Sequence, residues 1–538
     1  MQRKLKNFDT LGVMVDLSRN AVMTPMQLKK FISVIAKMGY NQVWLYMEDT
    51  YEVDGEPLFG KFRGKYSQSE LCDLDNYASD LGVELVPCIQ TLAHLNAIFR
   101  WPEYNAIRDA RDILMVGEDR TYTLIDNMFK TLRKCFKTSK IHIGMDEAQL
   151  LGRGKYANLN GIRDKNDILL EHLNKVSSMA AEYGFEPMMW SDMFYRIANN
   201  GRYYATNSNF NAEIKAKIPE NVSLVYWDYY HTASEVYDSM IKGHKTLSDK
   251  VIFAGGAWRW SGFMPHNEFS FTTAKAALTS CIENSVREAI LTMWGDDGGE
   301  CSSFAVLPAL CYAACLADGI TDMQEVKEKF LQWIGYSFDD FMLLDIPNKL
   351  VESNAVLNPS KYSLYNDCFM GIMDSAINTG DGEKYAEYAK LLKDAKKRTG
   401  EYSYLFDSAS SLCSALSIKA ELGKRTRSVY SSQNEEELCE LIKDYKKAIA
   451  LIKKFYNAFK TQWSIENKPH GFDIQDMRFG GLIMRMTSCC QRLCDLRDGK
   501  ITEIPELCEP IPEIYNGHIN FNRWGHTVSA NILSHGIF

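Results

Sequence analysis

His142-Ile143-Gly144-Met145-Asp146-Glu147 carries an apolar run directly into two adjacent carboxylates. Two acids at the mouth of a buried strand suit proton transfer. Burial and mutual repulsion raise the pKa of one, so that a protonated acid stands beside an ionised partner. Side chains alternate along a strand, which sends His142, Gly144 and Asp146 to one face and Ile141, Ile143 and Met145 to the other. Glu147 falls where the chain leaves the strand, so both acids can reach one pocket. An isolated Asp-Glu at a strand end is more often a pair of solvated acids. The meaning of this pair therefore rests on what the fold brings beside it.

The elements that must position the pair are legible as an alternation. Apolar runs predict strands over 10–17, 42–47, 83–89, 140–144, 186–190, 223–227, 250–254 and 289–294. Helical periodicity separates them. After the first strand, Thr24 is the expected N-cap with Pro25 at the first helical position. Leu28, Phe31, Ile32 and Ile35 follow at helical spacing, and Gly39 is the stop. Ser67 and Glu70 predict a capping box ahead of Leu71, Leu74, Ala78 and Leu81. A last helix is expected over 303–316. Eight strands alternating with helices point to an α/β (β/α)8 TIM barrel over 1–320, with a doubly wound open sheet as the competing arrangement. Beyond 320 the strand signal ends. Residues 321–500 read as an α-helical domain, its clearest stripe running over 438–459 through Leu438, Leu441, Ile442, Tyr445, Ile449, Ile452, Phe455 and Phe459. Residues 501–538, with Pro505, Pro510 and Pro512, read as an extended tail.

In such a barrel the working groups sit at the C-terminal strand ends. Those ends hold Asp16 and Arg19, then Glu48 and Asp49, then Gln90 and His94, then Asp146 and Glu147. Strands five to eight add Trp190 and Asp192, then Tyr226, Trp227 and Asp228, then Trp258 and Trp260, then Trp294, Asp296 and Asp297. Acids interleaved with indoles match sugar hydroxyls and sugar faces. Phosphate chemistry would want a Gly-rich anion nest or several basic groups, and neither is present.

Composition narrows the reading. The chain has 538 residues, 46% of them hydrophobic, enough for more than one core. A formal charge of −8 argues against nucleic acid and anionic membranes. No apolar run approaches a membrane span, and the basic N-terminus lacks the apolar core of a signal peptide. The fourteen cysteines show neither disulfide-framework nor zinc spacing, and Cys311, Cys315, Cys489, Cys490 and Cys494 fall in apolar helical patterns as buried thiols. A reducing, cytoplasmic location is the expectation, with no metal and no organic cofactor.

The strand-four segment matches the H-x-G-x-D-E motif and resembles glycoside hydrolase family 20, the β-N-acetylhexosaminidases. The likeness runs over residues 9–318, through GVMVDLSRN, MEDTYEV, QTLAHLN, HIGMDEA and MWGDDGGE. It most resembles a bacterial subgroup of exo-acting N-acetylglucosaminidases with a helical C-terminal domain, and NKPHGFDIQDMRFGGL extends the resemblance into that domain. The resemblance implies a retaining exo-hydrolase that removes terminal β-linked GlcNAc, or GalNAc, from oligosaccharides or glycans. The substrate's own 2-acetamido oxygen would be the nucleophile, through an oxazolinium intermediate. By the same resemblance Glu147 is the general acid and base, and Asp146 orients the acetamide. Tyr226 and Asp228 match a Y-x-D pair, the Tyr for the acetamide oxygen and the Asp for a sugar hydroxyl. Arg19 would bind O3 and O4. Trp190, Trp258 and Trp294 would wall the pocket, with His94 and His142 supporting the acids. Where the family often has W-x-E, this chain has Trp294-Gly295-Asp296, which leaves the GlcNAc versus GalNAc choice open.

Two alternatives stand beside this reading. One is a barrel glycosidase with two enzymic carboxylates, Glu48 or Asp49 paired with Glu147. The other is a catalytically dead glycan-binding barrel. The helical domain and tail are the candidate surface for a homodimer.

Overall fold

A computed structural model describes residues 5–206, 210, 212–350, 356–511 and 524–531. Eight parallel strands close into a barrel in sequential order. They are β1 Thr10–Asp16, β2 Gln42–Tyr46, β3 Glu84–Cys88, β4 Lys140–His142, β5 Glu186–Trp190, β6 Ser223–Trp227, β7 Val251–Gly256 and β8 Glu288–Met293. The open sheet is thereby excluded: β1 pairs with both β2 and β8.

The helix starts follow the local chemistry. The Thr24 side chain accepts the Gln27 N–H at the head of Pro25–Met38, and Gly39 ends that helix in the left-handed region. Ser67 and Glu70 form the reciprocal capping box of Gln68–Asp80. The helix after β8 begins as a 3₁₀ turn, Ser303–Val306, and continues as Leu307–Ala317.

Two apolar layers result. The outer faces of the strands meet the helices. The barrel interior is plugged by a separate cluster including Met14, Trp44, Cys88, Trp190, Val225 and Ile290. β4 is shorter than its apolar pattern, ending at His142 rather than Gly144. Gly144, Met145 and Glu147 all have positive φ, at 74°, 72° and 52°. The extended backbone breaks there, although Ile143 N–H still reaches the Met188 carbonyl and Trp190 N–H the Gly144 carbonyl.

Beyond the barrel the chain is helical. Ser403–Ser432, Glu435–Glu466 and Phe472–Arg497 are its longest helices. Asn434 caps the second of them, and Leu441, Tyr445, Ile452, Phe455 and Phe459 lie on its buried side. Within the proline-bearing tail, Pro505–Cys508 is a short helix whose carbonyls, with those of its neighbours, receive Arg427. Residues 512–523 and 532–538 of that tail lie outside the described residues. All fourteen cysteines are unpaired, with Cys311, Cys315, Cys489 and Cys490 buried and Cys494 partly so. Among the described residues no helix is long and apolar enough to cross a membrane.

The helical region grips the barrel at the loops after β1 and β8. Met23 and Asn467 form an antiparallel bridge, and Lys468 N–H donates to the Val22 carbonyl. A Cβ on Gly471 would lie 2.4 Å from the Asn20 carbonyl oxygen, so glycine is required for that approach. On the other side, Lys361 and Arg478 each pair with both Asp297 and Glu300 at 2.8–2.9 Å.

Candidate active site

The loop after β4 presents the acid pair through a glutamine. Gln90, just past β3, donates its amide to Asp146 Oδ1 at 2.8 Å and to the Tyr46 hydroxyl at 2.9 Å. Its oxygen accepts the Met145 N–H at 3.2 Å. A Cβ on Gly144 would fall 2.0 Å from that oxygen. This is the physical requirement for glycine between His142 and Asp146: it has a left-handed φ and leaves room for the amide that holds the acid.

His94 completes the cradle. Its Nε2 lies 3.2 Å from Asp146 Oδ2 and 3.8 Å from Glu147 Oε2. Burial alone would pull the imidazole down, but the Asp146 carboxylate outweighs it and holds His94 at about 10. In return, burial pushes Asp146 up while His94 and Gln90 pull it further down, so it stays below the ordinary carboxylate range. Asp146 is thus the ionised member. Burial first, then repulsion from Asp146, lift the enclosed Asp192 to about 7.

Glu147 is held differently. Its backbone N–H donates to Asp192 Oδ2 at 3.1 Å, and Arg196, tied to Asp192 at 2.8 Å, reaches Glu147 Oε1 at 3.3 Å. Its side chain is still 45% exposed. Asp146 is locked, whereas Glu147 faces open space.

Across the barrel, Arg19 donates to Glu48 Oε1 at 2.6 Å, and the Tyr46 hydroxyl donates to the same oxygen at 3.0 Å. Asp16 accepts the Ser18 N–H and the Gly295 N–H, joining the loops after β1 and β8. Beside them Asp296 is partly buried. Burial pushes it up to about 6, opposed by Arg19 and reinforced by Asp16 and Glu147. Arg19, Asp16 and Glu147 thus lie near enough to Asp296 for their charges to act on it. Asp49 belongs to a different set, accepting from Arg63 at 3.2 Å.

Indoles pack around these groups. Trp294 lies 4.7 Å from Tyr46 and 6.1 Å from Trp190. Trp258 stacks on Trp260 at 4.2 Å and donates its N–H to the Tyr229 carbonyl.

Three expected contacts fall elsewhere. His142 is enclosed below the pocket, its ring 5.2 Å from Trp44 and 4.4 Å from Trp190, with Nδ1 accepting the Gly144 N–H. Burial drives it down to about 3, so it is a neutral packing residue and not a substrate contact. Tyr226 points the wrong way. Val225 belongs to the barrel interior, so the alternation sends Tyr226 outward against His244 and Phe253. Its hydroxyl donates to Asp228. Asp228 is spent as well: Oδ1 accepts the N–H groups of Tyr230 and His231, and Oδ2 faces Tyr226 and the His231 ring. It caps a turn and leaves no oxygen for a sugar.

That turn delivers Tyr229 and Tyr230, which lie outside the Y-x-D match. Tyr229 stacks on Trp227 at 5.3 Å. Tyr230 is 48% exposed and edge-on to Trp258 at 5.6 Å. Burial raises its hydroxyl, and so do the charges of Asp296 and Glu147, which sets it in the same space as both acids. Gln90 and Asp192 stood among the strand-end residues without a role, and Glu48 only as an enzymic carboxylate of the alternative reading. Their signal was position alone.

Residues 8–254 match the Glycosyl hydrolase family 20 catalytic domain, and residues 339–520 match the Glycoside Hydrolase 20C C-terminal domain. The chain belongs to glycoside hydrolase family 20. Among curated proteins it is similar to hexosaminidase D of Bos taurus, 22% identical over 44% of this chain and 65% of that protein. Human hexosaminidase D is 22% identical over 49% of this chain and 52% of its own length. The chain thus spans between half and two-thirds of these relatives. A solved family 20 exo β-N-acetylglucosaminidase of Vibrio harveyi is 13% identical over 63% of this chain and 58% of its own, with a TM-score of 0.47.

Proposed function

We propose that the chain is a retaining exo-β-N-acetylhexosaminidase acting on terminal β-linked GlcNAc, with GalNAc the alternative sugar. One observation carries the reading. A carboxylate locked in its ionised form by His94 and Gln90 adjoins a half-exposed one, and Arg19 and Asp296 face them. A locked anion suits a cationic centre that forms and vanishes. A half-exposed acid suits proton traffic with a leaving group and then with water.

In this mechanism the acetamide oxygen attacks C1 as the bond from C1 to the leaving oxygen breaks, and Glu147 protonates that oxygen. Asp146 accepts the acetamide N–H and stabilises the oxazolinium. Glu147 then removes a proton from the water that attacks C1, and the acetamide reforms. Tyr230 takes the place first given to Tyr226 as donor to the acetamide oxygen. Arg19 and Asp296 bind hydroxyls of the non-reducing sugar. The substrate is a small oligosaccharide or glycan end, met in the cytoplasm.

The two-carboxylate alternative loses support from the locked state of its candidates. Glu48 is held by Arg19 and Tyr46, and Asp49 by Arg63. Hydrolysis of an aryl β-GlcNAc, with and without a thiazoline mimic of the oxazolinium, is the test. Turnover abolished by the mimic is the expected result. Turnover indifferent to it contradicts substrate assistance, and binding without turnover indicates a dead barrel.

A further inference from the structure

One oxygen of a buried carboxylate secures both the backbone and the side chain of Glu147. Asp192 Oδ2 accepts the Glu147 N–H at 3.1 Å and the Arg196 Nε–H at 2.8 Å. Arg196 Nη2 in turn donates to Glu147 Oε1 at 3.3 Å, closing a ring of three residues. An Asp and an Arg four residues apart on a helix are ordinary neighbours, and alone the pair would mean nothing. Here both sit on the short helix after β5, Asp192–Ala198, and both reach across to the loop after β4. Glu147 stands there on a left-handed backbone, φ 52°, which costs free energy and persists only where the surroundings enforce it.

The guanidinium is itself held from several sides. The Asp192 side chain is fully buried, and that of Arg196 is 16% exposed. Arg196 Nη1 donates to the Gly201 carbonyl at 3.4 Å, and the guanidinium carbon lies 5.8 Å from the centre of the buried Tyr203 ring. Its direction toward Glu147 is therefore set before any substrate arrives.

The two oxygens of Glu147 are thereby made unequal. An arginine carries donors in a fixed fork and no acceptor. On a protonated carboxyl, the oxygen it holds takes the carbonyl role and the O–H falls to the other. That other oxygen is Glu147 Oε2, 3.8 Å from His94 Nε2, the nitrogen that also meets Asp146 Oδ2 at 3.2 Å. The proton is thus turned toward the Asp146 side of the pocket. As it leaves, Oε1 takes a share of the negative charge, and the Arg196 hydrogen bond becomes charge-assisted on both sides.

We propose that Arg196, anchored by Asp192, is the positioning residue of the acid: it turns the Glu147 carboxyl so that Oε2 delivers the proton, and it stabilises the carboxylate left behind. The proposal rests on the hydrolase reading above. In the step concerned, the proton passes from Glu147 Oε2 to the leaving oxygen, the bond from C1 to that oxygen breaks, and its electron pair departs with the oxygen. The negative charge remains on Glu147, and Arg196 keeps all its protons. The gain is greatest for a basic leaving oxygen and vanishes for one that departs without a proton.

The test compares methyl and dinitrophenyl β-GlcNAc as substrates of Arg196→Met and Arg196→Lys. Arg196→Met should lower kcat/KM for the methyl glycoside by about 10- to 30-fold, a part of the general-acid contribution, and for the dinitrophenyl glycoside by less than about threefold. Arg196→Lys keeps the charge without the fork and should fall between the parent and Arg196→Met on the methyl glycoside. It also leaves the buried Asp192 compensated, so the same comparison of leaving groups is made on this variant if Arg196→Met does not fold. In a Glu147→Gln background, Arg196→Met should cost the methyl glycoside less than about threefold more, because the group it acts through is gone. Equal loss on both glycosides, no loss in either variant, Arg196→Lys no better than Arg196→Met, or the full further loss in the Glu147→Gln background overturns the proposal. A parent enzyme that hydrolyses neither glycoside refutes the hydrolase reading instead.

Discussion

The two halves of the pocket rim are built on different principles. The half from β1, β2 and β8 is a network. Asp16 ties two loops, Arg19 is held by Glu48, and Asp297 and Glu300 are clamped by Lys361 and Arg478 from the helical region. The half from β4 and β5 is a contrast of neighbours. Asp146 is fixed by Gln90 and His94, while Glu147 keeps nearly half its side chain in solvent. Recognition of a rigid sugar gains from pre-organisation, since ordering is complete before binding. Acid–base work needs one group that meets a leaving oxygen and then water. The division of labour proposed for Asp146 and Glu147 follows from that difference.

The largest effects should come from breaking the contrast. Glu147→Gln should lower kcat/KM for an alkyl leaving group by about 10³-fold, within the range for general acid catalysis, and by much less for a dinitrophenyl aglycone. Gly144→Ala attacks the same half from behind. Its Cβ displaces Gln90 and its φ is strained, so a fall of about 10- to 100-fold is expected with a measurable loss in urea midpoint. Unchanged activity in Gly144→Ala would mean that Gln90 does not position Asp146.

How much of this was readable beforehand differs between the halves. The barrel, the helix caps and Asp146-Glu147 were legible because hydrophobic period, cap chemistry and an acid pair are local signals. Tyr226 was misread because β6 is buried on both faces. Ser223–Trp227 reads as a continuous apolar run, and such a run hides which parity faces the barrel axis. His142 shares the inward parity of Asp146, but its depth in the barrel is a matter of three-dimensional stacking on Trp44 and Trp190. The clamp by Lys361 and Arg478 joins residues far apart in sequence, which no window of sequence reveals.

Breaking the network half should cost less and act on binding. Arg19→Met should raise KM by about 10- to 100-fold with kcat changed far less, since a charged hydrogen bond is lost in ground and transition states alike. Arg478→Lys keeps the charge but loses the fork across Asp297 and Glu300. A KM rise of a few-fold, without change in the response to leaving group, would place the helical region in sugar recognition. A changed leaving-group response would erase the distinction between the halves.

The smallest effect is on stability. Asp192 titrates near 7 in the folded chain against about 3.9 when unfolded. Between about pH 4 and 7 the folded chain keeps a proton that the unfolded chain has released, so this group's contribution falls as pH rises through that window and levels off above it. Asp192→Asn removes the dependence. Its Tm relative to the parent should therefore improve from pH 5 to pH 8, and the opposite trend would show that Arg196 keeps Asp192 ionised.

The central claim is that Asp146 serves the substrate's acetamide while Glu147 serves the proton. Leaving-group dependence of kcat/KM for Asp146→Asn and Glu147→Gln, across a series of aryl β-GlcNAc substrates, tests it most directly. The account predicts a steepened slope for Glu147→Gln and an unsteepened, uniformly lowered line for Asp146→Asn. Two variants with the same slope would contradict it.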